Sequence, residues 1–409
     1  VGLRSFFLPA SRSEPIVPRL LVIVPDRISV ILAKGEYQPG YYNPGGVFDE
    51  VHILMTNDDR PSLEQLQRTV GQARLIVHNY SDDLNLVGKR PGWLAGSRLR
   101  HWAKAGIELV RRIGPDMIRC HGADWNTYLA SRIKAELGIP YVVSLHINPD
   151  INPVRRYNGS DLTPGQVRHN KFYEYLEGEG LRNADLVMPV YKPILPYLER
   201  LGVQKVEVCY NVLNTVHLRQ KDNYALSNPA RVLYVGRLVE EKDPANIILA
   251  IANMQNVALT IVGDGPIRSR LEALVAEMAL NERVHFLPAV PNDKLCELLT
   301  DSDIFAVHTE HWEISKAVLE AVLTGLPVII NRRIGDAVPE FEEGDFLCLV
   351  DNTVQDYRAA LDHLLTNSDE RAALGRRAFD HSQARWAPAI TEAKFAGIYR
   401  SILAKGKTA

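Results

Sequence analysis

Short apolar runs alternate along the chain with longer segments whose apolar positions recur every three to four residues. The first pattern predicts buried strands and the second predicts helices packed on them. In the first half the strands are read at Leu20–Val24, Val51–Met55, Leu75–Val77, Met117–Arg119, Tyr141–Leu145 and Leu186–Val190, with helices such as Leu99–Ile113 and Trp125–Leu137 between them. The second half repeats the theme at Val232–Tyr234, Leu259–Val262, Val284–Phe286, Ile304–Val307 and Val328–Ile330. Continuous apolar strands separated by helices are the mark of parallel sheets covered on both faces, so two doubly wound α/β halves are expected.

The densest chemistry lies between Thr309 and Arg333. Ser315 is placed to cap a helix whose apolar face is Ala317, Val318, Ala321 and Val322, and Gly325 fits the position just past its end. Glu313 and Glu320 bracket the helix start. A helix N-terminus presents unpaired N–H groups and about half a positive charge, which suits an anion such as a nucleotide diphosphate. Carboxylates beside it can hold sugar hydroxyls.

This stretch resembles the signature of the retaining, nucleotide-sugar-dependent glycosyltransferases of family 4, whose fold is GT-B: two doubly wound Rossmann-like domains facing a central cleft. The family string is Glu-Gly-Phe-Gly, four mostly apolar residues, then Glu-Ala. Glu320-Ala321 matches its second half, and the resemblance makes Glu320 the ribose ligand. Glu313 stands one position closer to Glu320 than the family spacing, as if a glycine were lost, and would orient the donor sugar, with Glu310 as the other candidate. Val235-Gly236-Arg237-Leu238 and Glu241-Lys242-Asp243 resemble the Gly-Arg and Lys pair of the family, which implies that Arg237 and Lys242 neutralise the diphosphate. Val262-Gly263-Asp264-Gly265-Pro266 is similar to its Gly-x-Gly-Pro turn, and Leu287 falls where relatives meet the nucleotide base. Ser315, Lys316 and Ala317 complete the expected donor contacts.

In the first half, His146 directly after Tyr141–Leu145 matches the family histidine near the reacting carbon. His121 and Asp124 follow the preceding strand and are candidates for the acceptor side, as is Tyr41, which with Tyr37 and Tyr42 could stack on a sugar ring. Relatives carry a Gly-Gly loop after the first strand, whereas here Val24 leads to Pro25-Asp26-Arg27. The resemblance places the acceptor domain at 1–212, completed by a C-terminal helix at 389–409, and the donor domain at 213–388. It implies a UDP- or GDP-sugar as donor, a glycan or lipid-linked acceptor, no cofactor and no required metal. It also implies a role in polysaccharide assembly.

Composition narrows the alternatives. A chain of 409 residues is longer than one core usually serves. No apolar run approaches a membrane span, and Val1 to Pro18 lacks the core of a signal peptide, so a cytoplasmic location is expected. Residues 1–210 carry 26 Lys+Arg against 22 Asp+Glu, which leaves 21 against 27 for the remainder, or +4 and −6. That balance is too mild for a nucleic-acid binder. The basic amphipathic segment with Arg98, Arg100, Lys104, Arg111 and Arg112 is compatible either with peripheral contact to an anionic membrane or with a helix covering a sheet. Four cysteines lack metal spacing and read as reduced structural thiols, at least three of them in strand-like runs. Asp301-Ser302-Asp303 spells the metal motif of the other large glycosyltransferase fold, but it precedes a strand and reads as a helix-to-strand turn. A sugar-nucleotide epimerase of the same fold and a non-catalytic nucleotide-sugar-binding relative share these features.

Overall fold

The computed structural model describes residues 17–33, 38–80, 95–151, 155–310, 314–333 and 338–406. Glu313 and Tyr37 lie outside the described residues. Contacts divide the chain into two units, one of Val1–Met188, Leu201–Glu207 and Phe395–Ala409, the other of Pro189–Arg200 and Val208–Lys394.

The first unit is built on β1 (Arg19–Val24), β2 (Glu50–Met55), β3 (Arg74–Asn79), β4 (Met117–His121), β5 (Tyr141–Leu145) and β6 (Leu186–Pro189), in the order β3-β2-β1-β4-β5-β6. The second has β7 (Ala230–Val235), β8 (Val257–Val262), β9 (Val284–Leu287), β10 (Ile304–Val307), β11 (Val328–Asn331) and β12 (Cys348–Val350), in the order β12-β11-β10-β7-β8-β9. Numbered within its own unit, each sheet has the order 3-2-1-4-5-6, and the pairs β1·β2, β1·β4, β7·β8 and β7·β10 are parallel. The order reverses between β1 and β4 and between β7 and β10, so each sheet opens a crevice beyond the carboxyl ends of those strands.

Local chemistry sets the ends of the elements. Thr163 and Gln166 form a capping box at helix Pro164–Arg182. Ser315 caps helix Lys316–Thr324 through Val318 N–H, and Gly325 closes it at φ 81°. Proline at position 388 separates helices Ser368–Trp386 and Pro388–Gly406. Leu99, Trp102, Ile107 and Val110 of helix Ala95–Ile113 are buried while its basic residues stay exposed, so its apolar stripe covers protein and is not available to a membrane. No helix of the described residues is long and apolar enough to cross a membrane.

Before residue 212 the division between units falls at residues 188/189, 200/201 and 207/208. Lys192 N–H donates to Glu340 Oε1 at 2.7 Å and Lys192 Nζ pairs with Glu343, which ties 189–200 to the second unit. The segment after 208 is likewise fastened there, with Lys221 N–H on Thr324 O at 2.7 Å and Tyr224 OH on Gly325 O at 3.0 Å. Helix Pro388–Gly406 is divided, its residues from Phe395 onward belonging to the first unit. Only Cys120 and Cys348 lie on strands, because Cys296 is on helix Asn292–Asp301 and Cys209 in an irregular segment. Asp303 does sit in a helix-to-strand turn, where its carboxylate accepts from the backbone N–H of Ser227 at 3.1 Å and Arg231 at 2.8 Å.

Candidate functional site

In the second unit the loops leaving β7 and β8 interlock. Gly236 N–H donates to Val262 O at 3.0 Å, Leu238 N–H to Asp264 O at 3.0 Å, and Ile267 N–H to Leu238 O at 3.2 Å. Gly263 has φ 146°, and a Cβ there would stand 1.9 Å from Gly236 O. A Cβ on Gly265 would stand 2.1 Å from Leu238 O. Glycine is required at both places by the approach of one main chain to another. The interlock presents the Arg237 side chain to solvent, with no hydrogen bond or ion pair to it among the described residues. Lys242 is buried, and its carbonyl accepts from Tyr234 OH. The carbonyl of Leu287 accepts from Gly263 N–H at 3.0 Å, so the end of β9 is tied to the same turn.

Helix Lys316–Thr324 supplies the rest of this half-site. Ser315 Oγ takes Val318 N–H at 3.3 Å, and the N–H groups of Lys316 and Ala317 have no acceptor within the helix. Glu320, one turn in, is 1% exposed. Its Oε1 accepts from Asn292 Nδ2 at 3.0 Å and lies 3.7 Å from Lys316 Nζ. Burial raises the Glu320 carboxyl above its ordinary range, while Lys316 and Asn292 pull it back.

At the end of β10, pattern reading named Glu310 but missed the Asn331 that braces it. Asn331 on β11 accepts Thr309 N–H at 2.8 Å and donates to Thr309 O at 3.1 Å, and Glu310 N–H donates to Glu241 O at 2.7 Å. Glu310 is thereby held beside the loop that carries Arg237, and its Oε1 is 3.5 Å from the buried His308. A polar Asn closing an apolar strand, Val-Ile-Ile-Asn, was the available signal.

The first unit brings His121, His146 and Tyr41 together. The imidazoles lie 4.2 Å apart between centroids, and Tyr41 OH is 3.4 Å from His121 Nδ1 and from His146 Nε2. The two imidazoles border a cavity of about 110 Å³, also lined by Asp26, Ile147 and Arg155, at the crevice beyond β1 and β4. Tyr42 is fully buried, which removes it as a stacking platform. Asp124 is buried and binds Arg155 at 2.6 Å, so Arg155 is the member of that pair that reaches the cavity. Beneath the histidines Arg119, 2% exposed, donates to Tyr41 O at 2.7 Å, Tyr399 OH at 2.9 Å and Ser144 Oγ at 3.1 Å. A lone arginine inside the apolar strand Met-Ile-Arg-Cys was its only trace in the sequence.

Burial and then the Arg119 charge push His121 down to about 3, and burial, His121 and Arg119 push His146 well below 6.5. Both rings are therefore neutral at pH 7, able to accept or donate a hydrogen bond but carrying no charge. Because the unfolded chain binds these protons more readily, their contribution to stability is intact above about pH 6.5 and erodes as the pH falls toward about 3. The melting midpoint is expected to drop between pH 7 and pH 5, and less so in His121→Asn. Equal slopes in parent and variant would refute the assignment.

Comparison with known proteins completes the description. Residues 218–381 match the family Glycosyl transferases group 1, and residues 49–217 match Glycosyltransferase Family 4. The 2-deoxystreptamine glucosyltransferase of Streptomyces kanamyceticus is 26% identical over 269 residues, 59% of this chain and 65% of that protein. The chain thus spans just under two thirds of that curated relative. Among solved structures, HepE of Anabaena in complex with UDP superposes with a TM-score of 0.68 at 15% identity, covering 94% of this chain and 100% of that one. Sucrose-phosphate synthase of Thermosynechococcus elongatus gives 0.66 at 16%, covering 95% and 100%. These likenesses carry the fold, GT-B.

Proposed function

The chain belongs to the glycosyltransferases, by Glycosyltransferase Family 4 over residues 49–217 and Glycosyl transferases group 1 over residues 218–381, and on that premise we propose that it moves a hexose from a nucleoside diphosphate sugar to an acceptor hydroxyl with retention at the anomeric carbon. The observation that carries this reading is the buried Glu320 behind a helix N-terminus, on the same sheet edge as the exposed Arg237. In it the second unit holds the donor. Glu320 accepts from the ribose, the glycine turn admits the diphosphate, and Arg237 with the N–H groups of Lys316 and Ala317 stabilises the charge that grows on the leaving phosphate. Glu313, with Glu310 as the other candidate, orients the sugar. HepE is solved with UDP and with UDP-glucose, which supports a uridine donor over a guanosine one.

The first unit presents the acceptor, a glycan, a lipid-linked glycan or a small molecule, beside the neutral His146 and His121. The bond from the anomeric carbon to the phosphate oxygen breaks as the bond to the acceptor oxygen forms. The acceptor proton passes to the departing diphosphate on the same face.

Thermal stabilisation by UDP, GDP and ADP and by their sugars tests the donor half. With a ligand at 100 times Kd, mass action adds about 2.7 kcal/mol. One nucleotide is expected to raise the midpoint in the parent, and much less in Glu320→Gln and Arg237→Ala. No shift with any of them would defeat the donor assignment.

A further inference from the structure

Helix Asn292–Asp301 brings to Glu320 a side chain for which the donor reading has no use so far. The amide of Asn292 and the ammonium of Lys316 both fall on Glu320 Oε1, and Oε2 has no hydrogen bond among the described residues. The two oxygens of one buried carboxylate are therefore unequal, one held and one unclaimed. Asn292 Oδ1 is itself buried with no partner. Its amide is turned so that N–H meets the carboxylate, although this leaves its own acceptor unsatisfied, because the flipped amide would set oxygen against oxygen. Lys316, 43% exposed on a flexible stem and 3.7 Å away, fixes no orientation by itself.

Resting on the reading of Glu320 as the ribose ligand, we propose that Asn292 is a positioning residue of the donor site: by holding Oε1 it sets the carboxylate in the orientation that leaves Oε2 for a ribose hydroxyl of the nucleotide. A carboxamide suits this task, since it donates to the carboxylate without adding a second fixed charge. It also opposes protonation of Glu320. Burial favours the protonated acid, and the Asn292 hydrogen bond and Lys316 oppose it. The Cys296 thiol, pushed up to about 11 by burial and by Glu320, is a further titratable group beside the carboxylate, and Asp293 acts on that thiol. Removing the amide raises the Glu320 pKa further, so nucleotide affinity fades at a higher pH as the solution is acidified.

The test is calorimetric binding of UDP, GDP and ADP to the full chain between pH 5 and 8, with the parent, Asn292→Ala, Asn292→Asp and Glu320→Gln. It is repeated with the 2′,3′-dideoxy counterpart of whichever nucleotide binds. Asn292→Ala is expected to weaken the ribonucleotide about tenfold at pH 7, the scale of one charge-assisted hydrogen bond. It should move the acid loss of affinity to higher pH and affect the dideoxy nucleotide little. Asn292→Asp sets two carboxylates about 3 Å apart that cannot both ionise, and should move that limb furthest. Parent affinity and an unmoved profile in Asn292→Ala, with binding lost in Glu320→Gln, would leave the donor site standing and remove Asn292 from it. If the parent binds none of the nucleotides, the donor reading falls and the role of Asn292 with it. Should Asn292→Ala not fold, as judged by its melting curve, Asn292→Ser keeps a shorter donor and is expected to show a smaller shift in the same direction.

Discussion

Gly263→Ala is expected to cost the second unit about 3 kcal/mol and to lower nucleotide affinity at least tenfold. The reason is a collision between main chains. The added Cβ would lie 1.9 Å from Gly236 O and 3.0 Å from Gly236 C, and the residue sits at φ 146°, where an L side chain is strained whatever the space. Neither atom can rotate aside as a side chain does, so the whole loop from Gly236 to Leu238 has to retreat. That loop carries Arg237, and its hydrogen bonds to Val262 O and Asp264 O would be lost with the movement. Gly397→Ala is the matched control. It lies exposed within helix Pro388–Gly406 with nothing within 4 Å of the new methyl, and should be neutral or stabilise by up to ~1 kcal/mol. Urea unfolding of both variants decides the matter. A Gly263→Ala protein as stable as the parent would show that the two loops are not interlocked in solution.

The same glycine illustrates what pattern reading can reach. Val-Gly-Asp-Gly-Pro after an apolar run marks a turn at the carboxyl end of a strand, which is where Gly263 lies. The sequence does not say which carbonyl the glycine approaches, because that depends on β8 lying next to β7. Strand positions were legible for a related reason: central parallel strands such as Leu20–Val24 are buried on both faces and read as unbroken apolar runs. β12, only three residues of Cys-Leu-Val at a sheet edge with the first two half-buried, has no such signature and was missed. Ser315 and Gly325 were legible because capping is local. Arg119, Asn292, Asn331 and Arg155 were not, since each is defined by a partner at least 20 residues away in the chain. Buried polar residues acquire meaning only from partners, and the sheet order chooses the partners.

The largest loss of stability in the first unit is expected from Glu177→Ala. Glu177 is fully buried on helix Pro164–Arg182, and Arg156, 7% exposed, meets it with both terminal nitrogens, Nη1 at 3.2 Å from Oε1 and Nη2 on Oε2. Asp150 Oδ1, 3.4 Å from Arg156 Nε, is a further carboxylate on that guanidinium, and Arg156 Nη1 also donates to Arg155 O at 3.2 Å. Truncating Glu177 removes the fully buried carboxylate from a buried cation, and breaking one side of a buried pair costs about 3 to 5 kcal/mol. The effect should reach the cavity, because Arg156 follows Arg155 and pairs with Asp150, which follows Pro149, and both Arg155 and Pro149 line its wall. Glu177→Met combined with Arg156→Met separates the two contributions, since it removes both charges and their desolvation together. That double variant is expected to recover most of the stability and to leave the cavity wall loosened. If Glu177→Ala unfolds at the parent urea midpoint, the pair is not buried in solution, and the segment bearing Arg155 must be fixed by other contacts.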